Sequence, residues 1–226
     1  VSVIIKVLGL SASPRRGATE HSLAVALEEL DKFNRIEYQM ITLRKFNTYQ
    51  CIHCDRCIRE EEKYCLVNED SELAELYEKF YQADGYLLAS PVYQMNYTGQ
   101  LACFFNLLRP AWNILKDDRA YFWDKVGAAI AVGGTRHGGQ ELTINAIHNF
   151  YHNYGITVVG GNFAYNGGTI WSRDNKKKGA AADTEGLKTI KAIADRLALA
   201  LYSQQGGKEF FKEAYQKISS QVKELA

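Results

Sequence analysis

Four cysteines fall within fifteen residues: Cys51, Cys54, Cys57 and Cys65. In the pattern Cys51-x2-Cys54-x2-Cys57-x7-Cys65, three thiolates at successive two-residue gaps can wrap three corners of one 4Fe–4S cubane, and the fourth closes it. Ferredoxin-type runs are related, although their fourth cysteine serves a second cluster. Four-cysteine zinc is the competing chemistry, but it usually comes as two separated C-x2-C knuckles, a geometry that the overlapping triplet fits poorly. An unligated redox thiol cluster is the third reading. A disulfide scaffold would spread its cysteines along a small secreted chain rather than bunch them in a large one. With four cysteines available as ligands, His53 inside the run reads as a bystander or hydrogen-bond donor. Cys103, alone in the apolar stretch 101–108, reads as a buried core residue.

A second chemistry is written at Ser11-Ala12-Ser13-Pro14-Arg15-Arg16-Gly17-Ala18-Thr19, between a β-branched run and a helical pattern. Hydroxyls, an arginine and backbone amides at a helix N-terminus make an anion site. Neither G-x-x-x-x-G-K-[ST] nor G-x-G-x-x-G is present, so the loop suits a terminal phosphomonoester better than a triphosphate or a dinucleotide. An ordinary βα turn with an N-cap would look similar. Two more loops follow strand-like runs: Ser90-Pro91-Val92-Tyr93, and Gly133-Gly134-Thr135-Arg136-His137-Gly138-Gly139, where His137 reads as an exposed loop residue. In an open parallel sheet such loops share one edge, and glycines there let the backbone approach a flat ring.

The elements that must position these loops alternate. Strand-like runs at 3–10, 36–43, 86–89, 125–132 and 156–160 are separated by helical patterns, including Leu23, Ala26, Leu27 and Leu30, then Leu73, Leu76, Tyr77 and Phe80. Pro91 and Pro110 are expected to stop a strand and a helix. Such alternation predicts an α/β, doubly wound, five-stranded parallel sheet. Residues 1–165 are expected to form the main domain, with the cysteine insert at about 44–70. Residues 166–226 are expected to be an extension: a loop over 166–182 containing the solvated run Lys176-Lys177-Lys178, then helices 184–202 and 208–225 separated by Gly206-Gly207.

The chain of 226 residues is 46% hydrophobic and carries 27 basic against 26 acidic side chains, for a net charge of +1. That balance argues against nucleic-acid and membrane-surface partners, both of which usually leave a basic footprint. The longest apolar stretch, near 126–132, is far short of the roughly 18 residues that a membrane helix needs. Residues 1–10 lack the layout of a signal peptide. A cytoplasmic protein is expected.

Gly9-x-Ser11-x-Ser13-Pro14-Arg15-x-Gly17, Ala83-Asp84-Gly85, Ser90-Pro91-Val92-Tyr93 and Gly133-Gly134 through Gly138-Gly139-Gln140-Glu141 together resemble the flavodoxin-like NAD(P)H-dependent FMN reductase superfamily. With the cysteine insert, the resemblance narrows to the iron–sulfur flavoproteins. It covers about residues 3–165. It implies FMN, with its phosphate at Ser11, Ser13, Arg15 and the turn from Gly17 through Thr19 to Ser22. Pro91, Val92, Tyr93 and Asn96 would flank the isoalloxazine on one side, with Gly133, Gly134, Gly138 and Gly139 on the other. One departure is Gly17-Ala18-Thr19 where Gly-Asn-Thr is common, which removes an asparagine side chain from the phosphate loop. The resemblance further implies a 4Fe–4S cluster on Cys51, Cys54, Cys57 and Cys65, ferredoxin as donor, and a homodimer or homotetramer. The expected function is electron transfer from that donor through the cluster to FMN. The alternatives are an NAD(P)H-dependent FMN or quinone reductase with a structural zinc or regulatory cysteine site, and a redox sensor.

Overall fold

The computed structural model describes residues 3–68, 71–161, 165–174 and 176–224. In chain order the elements are β1 (Ile5–Ser11), α1 (Ala18–Glu29), β2 (Ile36–Thr42), α2 (Arg56–Arg59), α3 (Ser71–Gln82), β3 (Gly85–Pro91), α4 (Gly99–Leu107) and α5 (Ala111–Leu115). They continue with β4 (Val126–Gly133), α6 (Gln140–Asn153), β5 (Thr157–Val158), β6 (Gly168–Trp171), α7 (Lys176–Ala181), α8 (Thr184–Phe210) and α9 (Lys212–Glu224). The sheet order is β2-β1-β3-β4-β5, with β6 also on β4, and every pairing is parallel.

The expected doubly wound sheet is present, with its fifth position divided. β5 pairs with Val126 and Gly127 at the start of β4, and β6 pairs with Ile130 to Gly133 at its end. The run 156–160 therefore yields only two strand residues, and the other half of that position comes from residues expected to be loop. Within 166–182 the chain forms β6 and α7, and the three lysines begin α7 with their side chains in solvent. Gly168-Thr169-Ile170-Trp171 is too short, and too closely flanked by Gly, Asn and Lys, to announce a strand by periodicity.

All eight residues of β4 are buried, as a central parallel strand covered on both faces requires. Neighbouring residues on each strand face opposite layers. Leu8, Leu88 and Ala129 join Tyr77, Phe80, Phe104 and Tyr151 on one side. Val7, Leu87 and Ile130 join Leu23, Leu27, Ile193 and Leu197 on the other. α4 buries Leu101, Phe104 and Leu107 at helical spacing. That leaves Cys103 at the flank of the stripe, half-buried rather than in the core.

α8 buries Ile190, Ile193, Ala194, Leu197, Ala198 and Leu201 and so forms part of the second layer. It does not break at Gly206-Gly207. Each glycine costs a helix about 1 kcal/mol relative to alanine, but this pair is bracketed by tertiary anchors. Gln204 Nε2 donates to Thr157 Oγ1 at 3.2 Å, and Lys208 pairs with Asp124. Among the described residues, no helix is long and apolar enough to cross a membrane.

If α8 is part of the core, Leu197→Ala will lower unfolding stability by about 2–5 kcal/mol. Phe210→Ala, at a position 82% exposed, will change it by less than about 0.5 kcal/mol. Urea denaturation compares the two, and equal losses would contradict the packing. His148, buried on α6, gives a second prediction. Among the described residues its Nε2 has no hydrogen-bond partner, and burial, helped by His152, lowers its pKa to about 4. The unfolded chain takes up this proton near pH 6.5, while the folded chain resists until about pH 4. Folding stability is therefore lost as pH falls through that window, by an amount on the order of 2 kcal/mol. In His148→Leu this part of the acid limb will be flattened, as read from the wild-type-minus-variant difference between pH 7 and pH 4.

Candidate functional site

Because the strands are parallel, β1, β3 and β4 deliver their C-terminal ends to one edge. Ser11 is in register with Ala89, and Pro91 with Val132. Ser11, which ends β1, and Ser13 beyond it are buried, and Ser11 Oγ accepts from Ser13 N at 3.4 Å. Ser13 Oγ donates to the Arg15 carbonyl at 2.7 Å, curling the chain toward α1. Gly17 is the N-cap of α1 and supplies no side-chain cap, so the first amides of that twelve-residue helix face the loop. Thr19 is buried in the first turn, and Arg15 is exposed. Ser22 stands apart from this group, its hydroxyl donating to Ala18 O at 2.8 Å.

The second loop is a tight turn. Tyr93 N donates to Asn96 O at 2.8 Å, and Asn96 N donates to Tyr93 O at 3.0 Å. Gln94 (φ 50°) and Met95 (φ 62°) are both left-handed, which costs on the order of 1–2 kcal/mol at each non-glycine residue. Tyr93 and Met95 are exposed beside the edge. In the third loop Gly139 has φ +98°, and a Cβ there would strike Met95, 3.0 Å from its Cα. Glycine therefore lets the second and third loops touch. His137 is exposed on the third loop.

Three side chains that the sequence reading gave no role fix these loops, Thr98 tying the first to the second and Gln140 and Trp171 bracing the third. Thr98 caps α4, accepts Leu101 N, and donates to Ala12 O at 2.9 Å, while its own N–H reaches Ser90 Oγ at 3.2 Å. Gln140 accepts Gly138 N at 2.9 Å and donates to Thr135 O at 2.6 Å. Trp171 Nε1 donates to Gly134 O at 2.9 Å. A threonine before an apolar helix is a legible capping signal. Its reach across to Ala12 is not.

The four expected ligand cysteines line one cavity of about 290 Å³, together with Tyr49, Ile52, Leu66, Val67, Leu107 and Arg109. Cys57 is buried, Cys51 and Cys65 are half-buried, and Cys54 is exposed. His53 (φ 56°) and Asp55 (φ 56°) turn the chain between them, and His53 N donates to Cys51 Sγ at 3.4 Å. Burial, then the neighbouring Cys65 and Cys51, push the Cys57 thiol above its ordinary pKa. Among the described residues, no three His, Cys, Asp or Glu side chains converge tightly enough to grip a single metal ion.

Side chains from the main domain pin the cysteine segment down. Asn113, buried on α5, donates through Nδ2 to Cys57 O at 2.9 Å and to Glu62 O at 2.7 Å. Tyr81 Oη donates to Lys63 O at 3.0 Å, and Lys116 pairs with Glu61. Arg109 Nε donates to Asp55 Oδ1 at 2.8 Å, and this bond holds the Asp55 carboxyl below its ordinary pKa. α4 carries both regions. Its cap Thr98 is tied to the first loop, and Leu107, with Arg109 just beyond, lines the cysteine cavity. Nine residues at 1.5 Å each separate the two ends by about 14 Å.

The family model described as NADPH-dependent FMN reductase matches residues 5–169. An iron–sulfur flavoprotein of Methanocaldococcus jannaschii is 40% identical over 205 residues, spanning 89% of this chain and 100% of the relative. One from Methanosarcina thermophila is 36% identical over 196 residues, spanning 85% and 93%. Among solved structures, an apo NADH:FMN oxidoreductase superposes with a TM-score of 0.63 at 18% identity, over 87% of this chain and 90% of that one. RosB with a bound flavin-type intermediate reaches 0.66 at 17% identity, over 95% and 88%. These two likenesses establish the flavodoxin-like fold. By its sequence the chain belongs to the NADPH-dependent FMN reductase family, among the iron–sulfur flavoproteins, and is an FMN-dependent oxidoreductase.

Proposed function

We propose that this chain relays electrons from a ferredoxin-type donor to an acceptor, holding FMN at the three-loop edge and a 4Fe–4S cluster on Cys51, Cys54, Cys57 and Cys65. The observation that carries this reading is that all four cysteines line one cavity, which Leu107 at the end of α4 also lines, while the cap of α4, Thr98, is tied to the phosphate loop. A single zinc ion would need its four sulfurs within about 3.8 Å of one another, given Zn–S bonds near 2.3 Å. Sulfurs standing around a 290 Å³ space suit a polynuclear group better. FMN supplies two-electron chemistry and an iron–sulfur cluster one-electron chemistry when bound.

The residues present fit both groups. The open N-terminus of α1, the Ser13 hydroxyl and buried Thr19 suit a phosphomonoester dianion, with Arg15 adding charge from the solvent side. Pro91, Val92 and Tyr93 with Asn96 wall one side of the edge, and the loop from Gly133 and Gly134 to Gly138 and Gly139 walls the other. Clustered thiols as ligands suit a reducing compartment, so we place the protein in the cytoplasm. Trp112 (52% exposed) and Trp123 (45% exposed) support self-association as a homodimer or homotetramer. Direct reduction by NADPH is the second reading, favoured by the description of the matching family model.

Anaerobically purified protein is expected to contain about four iron and four sulfide per chain, with broad absorption under the flavin bands. Zinc with a clean flavin spectrum would overturn the cluster. Asn113→Ala will lower iron occupancy while FMN content is retained, because the Asn113 amide donates both its hydrogen bonds to the cysteine segment. Conversely, Ser13→Ala and Thr98→Ala will weaken FMN binding by roughly tenfold or more, the scale of losing a charge-assisted or capping hydrogen bond. Thr98→Ser will restore it, and iron content will not change. Stopped-flow mixing with reduced ferredoxin, then with NADPH, separates the two donors. Fast flavin reduction by NADPH alone would favour the second reading.

A further inference from the structure

The cysteine cavity holds one ion pair whose partners come from different parts of the fold. Asp55 stands between Cys54 and Cys57 as the left-handed N-cap of α2, its carbonyl accepting Ile58 N at 3.1 Å and Arg59 N at 3.0 Å. Its carboxylate is bound by Arg109, two residues beyond α4, through Nε at 2.8 Å and also through Nη2. Arg109 and Asp55 both line the cavity with the four cysteines, and their side chains are 33% and 40% exposed. Of the other charges near the segment, Arg56 also lines the cavity, and Arg56, Arg59 and Lys116 are all paired or bonded. Arg56 bonds Glu60 at 2.8 Å, Lys116 pairs with Glu61, and Arg59 Nη1 donates to Cys54 O at 2.9 Å.

Reducing an iron–sulfur cluster by one electron adds one negative charge to it. A fixed cation beside the cluster favours the reduced form and a fixed anion opposes it, more strongly in a partly desolvated cavity than in water. Arg109 and Asp55 place one of each there, bound to one another, while the further lining cation Arg56 is neutralised by Glu60. Resting on the cluster reading above, we infer that Arg109 and Asp55 are a charge-balanced pair that sets the cluster's reduction potential. The cation is supplied by the chain just beyond α4, and the anion by the cysteine segment itself. Neutralising either partner leaves the other uncompensated, so the two single substitutions act in opposite directions. A purely structural strut would not do this.

The test is a dithionite titration of the full-length holoprotein, followed by electron paramagnetic resonance, with dithionite as the one-electron donor. In R109Q the ratio of reduced to oxidised cluster at fixed potential will fall about tenfold, a downward shift of about 59 mV for one electron. D55N will shift it upward by a similar factor. R109Q/D55N will return to within about threefold of wild type, and R109K will stay near wild type. Shifts of the same sign in both single variants, or no shift in either, would overturn the assignment. Loss of iron from both single variants would overturn it too, because the pair would then be a strut. Wild-type protein without iron would overturn the underlying cluster reading. Iron-loaded protein with unmoved potentials would overturn this inference alone.

Discussion

Everything in this molecule depends on its strands running the same way. Parallel pairing of β1, β3 and β4 brings three loops that are far apart in sequence to one edge of one sheet. An antiparallel neighbour would have sent one of them to the opposite edge. Once together, the loops are fastened by short-range contacts: Thr98 to Ala12, Gly139 against Met95, and Gln140 to Gly138 and Thr135. The sheet supplies the direction, and these few polar contacts supply the fit.

The cysteine segment follows a different rule. Between residue 46 and α3 its described residues contain one four-residue helix and little buried apolar surface. It is shaped by side chains reaching over from the main domain, with Asn113, Tyr81, Arg109 and Lys116 each holding a different point. A segment this small cannot bury enough to order itself, and natural solutions add cross-links or metal. Left-handed His53 and Asp55 raise its cost further.

What the sequence made legible was whatever repeats at short range. Apolar runs marked β1, β3 and β4, and three- and four-residue spacing marked α1 and α3. The cysteine spacing identified a candidate centre without any structure. What escaped depended on distant partners. β6 is four residues whose strand character comes from the exposed edge of β4. α8 crosses Gly206-Gly207 because Gln204 and Lys208 are held by Thr157 and Asp124. Thr98 and Arg109 drew no reading from the sequence at all. Their partners Ala12 and Asp55 lie 86 and 54 residues away, beyond any local pattern. Cys103 was misjudged for a simpler reason, since an apolar neighbourhood in sequence does not say which side of a helix faces in.

The integration of α8 into the second core layer also bears on how the protein is made. Ile5, Val7, Leu87 and Ile130, on strands near the start and middle of the chain, are covered partly by Ile190, Ile193, Leu197 and Leu201. Synthesis runs from the N-terminus, so this face of the sheet stays wet until residues 184–201 have left the ribosome. The glycine loop likewise waits for Trp171 to be delivered by β6. This side of the core therefore closes only once α8 has emerged, and a nascent chain stalled before α8 is a natural client for chaperones.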